Sequence, residues 1–194
     1  SPDRRPDMEM AGTMLYPPGG YYPGFSTGEV DLSTLTAAIA VEAVAPASWV
    51  KVVGDWPRPG QGAVPNFSEE QLAEVVEVAH TAGCRVAIHA AAPRTSTMAV
   101  AAGVDSIEHG LFLTDEDVRA LGARGGAWVP TITAMSGIRD SLRQASSGWA
   151  LFDSGIANAK RLLAGAADAG VVVLAGTDLT VPHGGVAIEG VALA

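Results

Sequence analysis

The sequence contains little cysteine and few basic residues. Cys84 is the one cysteine among 194 residues, so we expect no disulfide within the chain. Twelve Lys and Arg residues stand against 21 Asp and Glu, and the formal net charge is −9. This balance argues against a nucleic-acid-binding protein, because phosphate binding requires concentrated positive charge.

Long apolar runs are also missing from the sequence. The run VVVLAG at 171–176 is far shorter than the roughly 20 residues that span a bilayer. The first residues, SPDRRPDMEM, lack the basic-then-apolar pattern of a secretory signal, and one cysteine gives no sign of an oxidising compartment. We therefore expect a cytoplasmic protein that does not bind membranes.

The hydrophobic content, 48%, is sufficient for one folded domain over residues 1–194. Short apolar runs alternate with helical patterns, and several of the helices end in Gly. The runs are too apolar to have a solvent-exposed face, which indicates a parallel sheet covered by helices. We predict strands near 8–15, 49–56, 84–90, 105–110, 127–133 and 171–178. A polar connection is expected after the fifth of these strands.

The clearest predicted helix lies in PNFSEEQLAEVVEVAHTAG, residues 65–83. Ser68 is placed to cap it, Gln71 occupies the capping-box position, and the apolar residues that follow form one stripe. Gly83 is expected to end the helix.

Four predicted strands carry a polar residue at or near their C-terminal end: Lys51, His89, His109 and Asp178. In a closed barrel these ends converge on one mouth, whereas an open sheet would spread them along a line. An open nucleotide-binding sheet would also usually show a glycine-rich phosphate loop, and the sequence has no G-x-G-x-x-G or Walker motif. The closed barrel is therefore favoured.

Two imidazoles, a carboxylate and a lysine suggest a hydrolytic metal centre. Imidazole and carboxylate are usual ligands of Zn²⁺ and similar ions, and a catalytic site leaves a position for water. An ammonium group has no lone pair to offer a cation. Lys51 therefore fits only if it is deprotonated, or if reaction with carbon dioxide has made it a carbamate that can bridge two ions.

The motifs VKVVGD, RVAIHA, DSIEHG and AGTD, in this order and with these intervals, resemble the metal-dependent amidohydrolase superfamily. The similarity is to its prolidase-like and imidazolonepropionase-like branch, and it runs from about residue 10 to the end. It implies a TIM-like (β/α)8 barrel of the amidohydrolase type. It further implies that a carboxylated Lys51 bridges two metal ions, that His89 and His109 bind the second ion, and that Asp178 binds the first and moves protons.

The sequence departs from the family pattern at one essential point. Family members begin with an H-x-H pair on their first strand, and no two of the four histidines here, His80, His89, His109 and His183, are separated by one residue. About six βα units are predicted where a barrel needs eight, and ~250 residues are typical of the complete fold. We therefore expect a partial barrel that cannot by itself complete a two-metal site.

The function implied by the resemblance is hydrolysis of an amide or peptide C–N bond. A hydroxide held by one or two divalent ions, typically Zn²⁺, would attack the carbonyl carbon, with Asp178 acting first as base and then as acid. A small-molecule amide, a dipeptide and a cyclic amide all remain open as substrates. His183, Tyr21 and Tyr22 are candidates for substrate contact, whereas strand alternation predicts that Glu108 points away from the mouth.

Two alternative functions belong to other classes. One is a catalytically incomplete barrel fragment, whose unpaired edges favour a homo-oligomer. The other is a metal-free protein that binds a small molecule in an open sheet.

Overall fold

The computed structural model describes residues 8–25, 27–44, 47–178, 189–190 and 193. Its strands are β1 (Trp49–Val53), β2 (Asp55–Arg58), β3 (Gly62–Pro65), β4 (Arg85–Ala90), β5 (Ser106–His109), β6 (Ala127–Val129) and β7 (Val172–Val173). Five of them form one parallel sheet in the order β1-β4-β5-β6-β7, and β2 and β3 form a separate antiparallel hairpin. The order follows the chain, as expected when each βα unit adds one strand beside the last.

Helices cover the outer face of the sheet. They are α1 (Leu35–Glu42), α2 (Glu69–Thr81), α3 (Pro93–Ala102), α4 (Asp115–Ala123), α5 (Ile132–Ser141) and α6 (Ser147–Ala166), and a short 3-10 helix, Leu32–Thr34, precedes α1. The capping box of Ser68 and Gln71 on α2 is confirmed, and Thr114 and Asp117 form a second one on α4. None of the helices in the described ranges has the length and apolar character to cross a bilayer.

The chain before α1 extends the sheet beyond β1. Leu15 N donates to Lys51 O at 2.9 Å, and Val53 N donates to Leu15 O at 2.9 Å. Tyr16 in turn makes a parallel bridge to Glu29, so two short segments continue the sheet on this side. The strand predicted near 8–15 is thus present as isolated bridges. Together with five parallel strands, it gives the incomplete barrel expected from the sequence.

The two faces of the sheet differ in chemistry because side chains alternate along each strand. The outer face is apolar and packs against the helices; its fully buried members include Val50, Val52, Val86, Ile88 and Ile107. On the inner face Lys51 pairs with Ala87, and His89 pairs with Glu108. The polar residues of the strands therefore share the side that would be the barrel interior.

The segment after β6 differs from prediction. The strand expected over 127–133 ends at Val129. Helix α5 begins at Ile132, inside the predicted strand, and continues into the region where a polar connection was expected. Pro130 explains the early end, because proline has no N–H to donate to a neighbouring strand. The apolar residues after it, such as Ile132 and Met135, belong to a buried helix face.

Candidate active site

A cavity of about 940 Å³ lies at the C-terminal ends of the parallel strands. The four strand-end residues singled out in the sequence all line it, as do the two tyrosines proposed to contact substrate: Lys51, His89, His109, Asp178, Tyr21 and Tyr22. His183 lies outside the described residues. The described part of the chain thus brings together six of the seven predicted site residues.

His109 enters this cavity because its backbone is left-handed. Its strand partner is Ala90, which is fully buried on the outer face, so regular alternation would direct His109 toward the helices. A φ of +67° turns the residue instead, and Trp128 Nε1 donates to His109 O at 2.9 Å. Gly110, with φ +57°, completes the turn, and the His109 side chain is nearly buried.

Glu108 also faces the cavity, contrary to prediction. Its strand partner is His89, so the two residues share the inner face, and Ser106 Oγ donates to Glu108 Oε1 at 2.8 Å. The prediction assumed that His109 was the inward residue of an undistorted strand. The left-handed turn at His109 lets two successive residues face the same cavity.

His89 lies beside a buried carboxylate that sequence analysis did not select. Asp55 Oδ1 is 3.4 Å from His89 Nε2, while Asp55 Oδ2 accepts from the backbone N–H groups of Ala91 and Ala92 at 3.0 and 2.9 Å. The His89 and His109 rings meet edge to face, with their centroids 4.6 Å apart. Asp55 therefore contacts one of the two neighbouring imidazoles, with a carboxylate that two backbone N–H groups hold in place.

Thr131 holds the other imidazole. Its Oγ lies 2.6 Å from His109 Nδ1 and donates to Pro130 O at 2.8 Å. Thr131 is a polar residue just after β6, so the strand-end rule that selected His89 could also have found it. The rule misses Thr131 because the sequence predicts one continuous strand over 127–133, whereas β6 ends at Val129.

Burial controls the charge of two groups in the cavity. It lowers the pKa of His109 well below the usual value, and the neighbouring His89 and Lys51 act in the same direction. His109 is therefore a neutral imidazole at pH 7. Burial also lowers the pKa of Lys51, against the opposing effect of the Glu108 and Asp178 carboxylates. An amine that loses its proton more readily is a better nucleophile toward carbon dioxide.

The donor chemistry fits part of a metal site. A neutral imidazole is a good zinc ligand at ~2.1 Å, and the 4.6 Å between the ring centroids of His89 and His109 allows both to reach one ion. Among the residues that the structure describes, no three His, Cys, Asp or Glu side chains are grouped closely enough to hold an ion. The described residues therefore fit two ligands of a divalent ion, with Lys51 joining only as a carbamate.

One wall of the cavity is aromatic. The Trp56 ring meets those of Tyr21 and Tyr22 at centroid distances of 4.5 Å each, and it lies 6.0 Å from the His89 ring. Burial raises the pKa of Tyr21 to about 12, and the negative charge of Asp178 contributes in the same direction. Trp56 is not selected from the sequence, because the predicted strand over 49–56 ends with this residue and gives no sign of the β2–β3 hairpin that carries it.

The amidohydrolase family matches residues 37–194, more than three quarters of the chain. The chain belongs to the amidohydrolase family. Two relatives described as uncharacterized proteins, from Mycobacterium tuberculosis and Mycobacterium bovis, are each 36% identical over 194 residues. The match covers 97% of this amidohydrolase chain and 52% of either relative. The chain therefore spans about half the length of the curated relatives that it matches.

Solved structures give the same picture of this amidohydrolase. A Xaa-Pro dipeptidase with methionine bound in its active site is 26% identical, with a TM-score of 0.74 over 95% of this chain and 51% of that one. Ochratoxinase from A. niger has a TM-score of 0.74 at 21% identity, over 92% of this chain and 48% of its own. The fold is thus an amidohydrolase barrel of which this chain forms about half.

Proposed function

We propose that this amidohydrolase cleaves amide bonds with the help of a bound divalent metal ion, and that the chain supplies one side of the active site. The family supports hydrolysis of amide bonds in general. The observation that carries the finer proposal is the convergence of Lys51, His89, His109 and Asp178 on one cavity. It lies at the C-terminal ends of the strands, where barrel enzymes carry out their chemistry.

In this proposal His89 and His109 hold one divalent ion, for which zinc suits their imidazole nitrogens. Lys51 contributes as a carbamate, which places a carboxylate at the end of a long side chain. When bound, the ion would supply an activated water and polarise the substrate carbonyl. The H-x-H ligands of the family are absent from this sequence, so the remaining ligands would have to come from outside it.

Asp178 is proposed to move the proton. It lines the cavity in the segment that follows β7. Asp178 is close enough to Lys51 and Tyr21 for its negative charge to raise the pKa of both. Its carboxylate would accept a proton from the attacking water and return it to the departing amide nitrogen. Glu108 also lines the cavity, but its carboxylate accepts a hydrogen bond from Ser106 Oγ, and we assign it no part in this transfer.

The substrate is proposed to be an amide with an apolar group, such as a dipeptide, another small amide or a cyclic amide. The wall formed by Tyr21, Tyr22 and Trp56 offers aromatic surface beside His89. Such surface favours apolar or aromatic groups on a ligand. We also propose that His183 contacts the substrate, as the sequence suggests.

Assembly and location are proposals as well. Val172 and Leu174 at β7 leave 49% and 46% of their surface exposed, on the side of the sheet that faces the barrel interior. We propose that a second copy covers such surface in a homo-oligomer, which size-exclusion chromatography with light scattering would detect. On the composition, we propose a cytoplasmic location.

Metal analysis of the purified natural-length protein tests the proposed function. We expect zinc bound in a fixed ratio to the chain, and loss of that zinc in the double variant His89→Ala/His109→Ala with an unchanged far-UV circular dichroism spectrum. His80→Ala is the matched control, because His80 lies on α2, where it pairs with the Asp105 side chain and does not line the cavity. Equal zinc affinity in the double variant and the parent would contradict the proposal and favour a metal-free binding protein.

A further inference from the structure

The first turn of α5 is capped in an unusual way. Thr131 occupies the N-cap position, where a threonine hydroxyl normally accepts a hydrogen bond from the backbone of the first turn. Here Thr131 makes no such bond, and its φ of +46° is rare for a β-branched residue. A conformation of this kind persists only where the surroundings hold it in place.

Glu189 takes over the capping. Its Oε1 accepts from Ile132 N at 2.7 Å and its Oε2 from Thr133 N at 2.8 Å, and the residue is 1% exposed. A carboxylate is well suited to the positive end of a helix. Because Glu189 satisfies these two N–H groups, the Thr131 hydroxyl is free to act elsewhere.

The hydrogen bonds of Thr131 determine which nitrogen of His109 carries the proton. A hydroxyl has one hydrogen, and Thr131 Oγ lies within hydrogen-bonding distance of two groups, Pro130 O at 2.8 Å and His109 Nδ1 at 2.6 Å. A carbonyl oxygen can only accept, so the hydroxyl donates to Pro130 and accepts from an Nδ1–H of His109. In a neutral imidazole this leaves the lone pair on Nε2.

We propose that Thr131 is a positioning residue that holds His109 as the Nδ1–H tautomer, with Nε2 available to a metal ion, and that Glu189 makes this possible by capping α5 in its place. The inference rests on the proposed function in treating His109 as a ligand. A hydrogen bond to the second nitrogen of a ligand histidine fixes its tautomer and ring orientation.

The methyl group of Thr131 is also held. A Cβ added at Gly176 would lie 3.0 Å from Thr131 Cγ2 and 2.3 Å from Val129 Cγ1, so only glycine lets the chain after β7 pass this closely. Thr131 is thereby enclosed between His109 and the segment that leads to Asp178. This packing restricts its hydroxyl to the direction of His109.

Long-range proton–nitrogen NMR of the metal-free, natural-length protein tests the tautomer directly. We expect His109 to show a protonated Nδ1 and an unprotonated Nε2 in the parent and in Thr131→Ser, which keeps the hydroxyl. Thr131→Val keeps the shape but not the acceptor, so the Nε2–H tautomer should become populated. Thr133→Val, two residues further along in the first turn of α5, is the matched control and should leave the His109 signals unchanged.

Zinc titration provides the second measurement. We expect Thr131→Val to weaken zinc binding by roughly 10–100-fold, as for other partners of metal ligands, and Thr131→Ser to restore most of it. An unchanged His109 tautomer in Thr131→Val would overturn the inference, as would equal losses in the valine and serine variants. Failure of the parent to bind zinc would refute the proposed function, while the tautomer measurement would still decide the role of Thr131.

A double-mutant cycle tests the part assigned to Glu189. If Glu189 acts through Thr131, Glu189→Gln should weaken zinc binding in the parent but add almost nothing in the Thr131→Val background. Glutamine keeps one acceptor for the helix, so circular dichroism should show that α5 is retained. Independent, additive losses would show that Glu189 does not act through Thr131 and would overturn this part of the inference.

Discussion

Asp55 Oδ1, at the start of β2, lies 3.4 Å from Nε2 of His89, near the end of β4, and the Asp55 side chain is buried. Because the second oxygen of Asp55 already accepts from two backbone N–H groups, the carboxylate has a fixed orientation. In the proposed metal site, this contact would favour a proton on His89 Nε2 and leave Nδ1 as the nitrogen available to an ion. His89 and His109 would thus use opposite nitrogens.

This relationship predicts the behaviour of Asp55→Asn. The amide retains an acceptor for Ala91 and Ala92 but presents N–H groups to His89, so zinc affinity should fall by roughly 10–100-fold. Asp105→Asn is a matched control: Asp105 Oδ2 also accepts a backbone N–H, from Val86, and pairs with a histidine, His80, away from the cavity. Zinc titration should separate the two variants, and equal losses would refute the role of Asp55.

Replacement of Gly110 should destabilise the protein more than replacement of Gly125. Both glycines have a positive φ, but a Cβ at Gly110 would lie 2.6 Å from Trp128 Nε1, whereas nothing lies within 4 Å of one at Gly125. We expect Gly125→Ala to cost about 1 kcal/mol, from backbone strain alone. Gly110→Ala should cost about 3 kcal/mol, because it also disturbs the hydrogen bond of Trp128 to His109.

Urea unfolding measures both differences in the free energy of unfolding. A loss in Gly110→Ala no larger than that in Gly125→Ala would show that the turn after His109 tolerates displacement. In that case the tight packing against Trp128 does not hold the turn.

Tyr21 should make stability depend on pH in alkaline solution. Its pKa is raised to about 12 in the folded protein, while in the unfolded chain it ionises near its ordinary value of about 10. The unfolded state therefore releases a proton first, and stability should fall as the pH rises from about 10 to about 12. The parent should lose more stability across this interval than Tyr21→Phe. Parallel curves for the two proteins would disprove the contribution.

Trp56 should contribute to the choice of substrate. Removing its ring exposes apolar surface on a bound aromatic group, which corresponds to a loss of about 10–100-fold in kcat/KM. We expect Trp56→Ala to show this loss with an amide that carries a phenyl group, and little loss with the same amide carrying a methyl group. Trp49→Ala is the control, because Trp49 lies at the N-terminal end of β1 and does not line the cavity. Equal losses on both amides would mean that Trp56 does not contact the side group.

Much of this arrangement could be predicted from the sequence. The apolar runs and the capped helix at Ser68 determine the parallel sheet and its order, and the position of a polar residue at each strand end locates Lys51, His89, His109 and Asp178. These signals are local: they depend on alternation, helix caps and strand length. The four motifs also sufficed to indicate the amidohydrolase family.

The parts that escaped prediction depend on backbone geometry or on distant contacts. Strand alternation placed Glu108 on the wrong face, because the sequence contains no sign that His109 adopts a left-handed conformation. The cap of α5 comes from Glu189, 57 positions from Ile132, so no local pattern could indicate it. Asp55 belongs to the site because its carboxylate contacts His89, Ala91 and Ala92 at the end of β4. These contacts form only when the chain folds, so the sequence near Asp55 does not indicate them.

The left-handed residues have a consequence for the evolution of this site. In the described part of the chain, four residues other than glycine have a positive φ. Three of them line the cavity at or after the C-terminal ends of β5, β6 and β7: His109, Thr131 and Asp178. Glycine would adopt each of these conformations more easily. A laboratory selection for heat resistance alone should therefore tend to erase the candidate active site, whereas selection for hydrolysis should keep these residues and recruit stabilising changes in the outer helices.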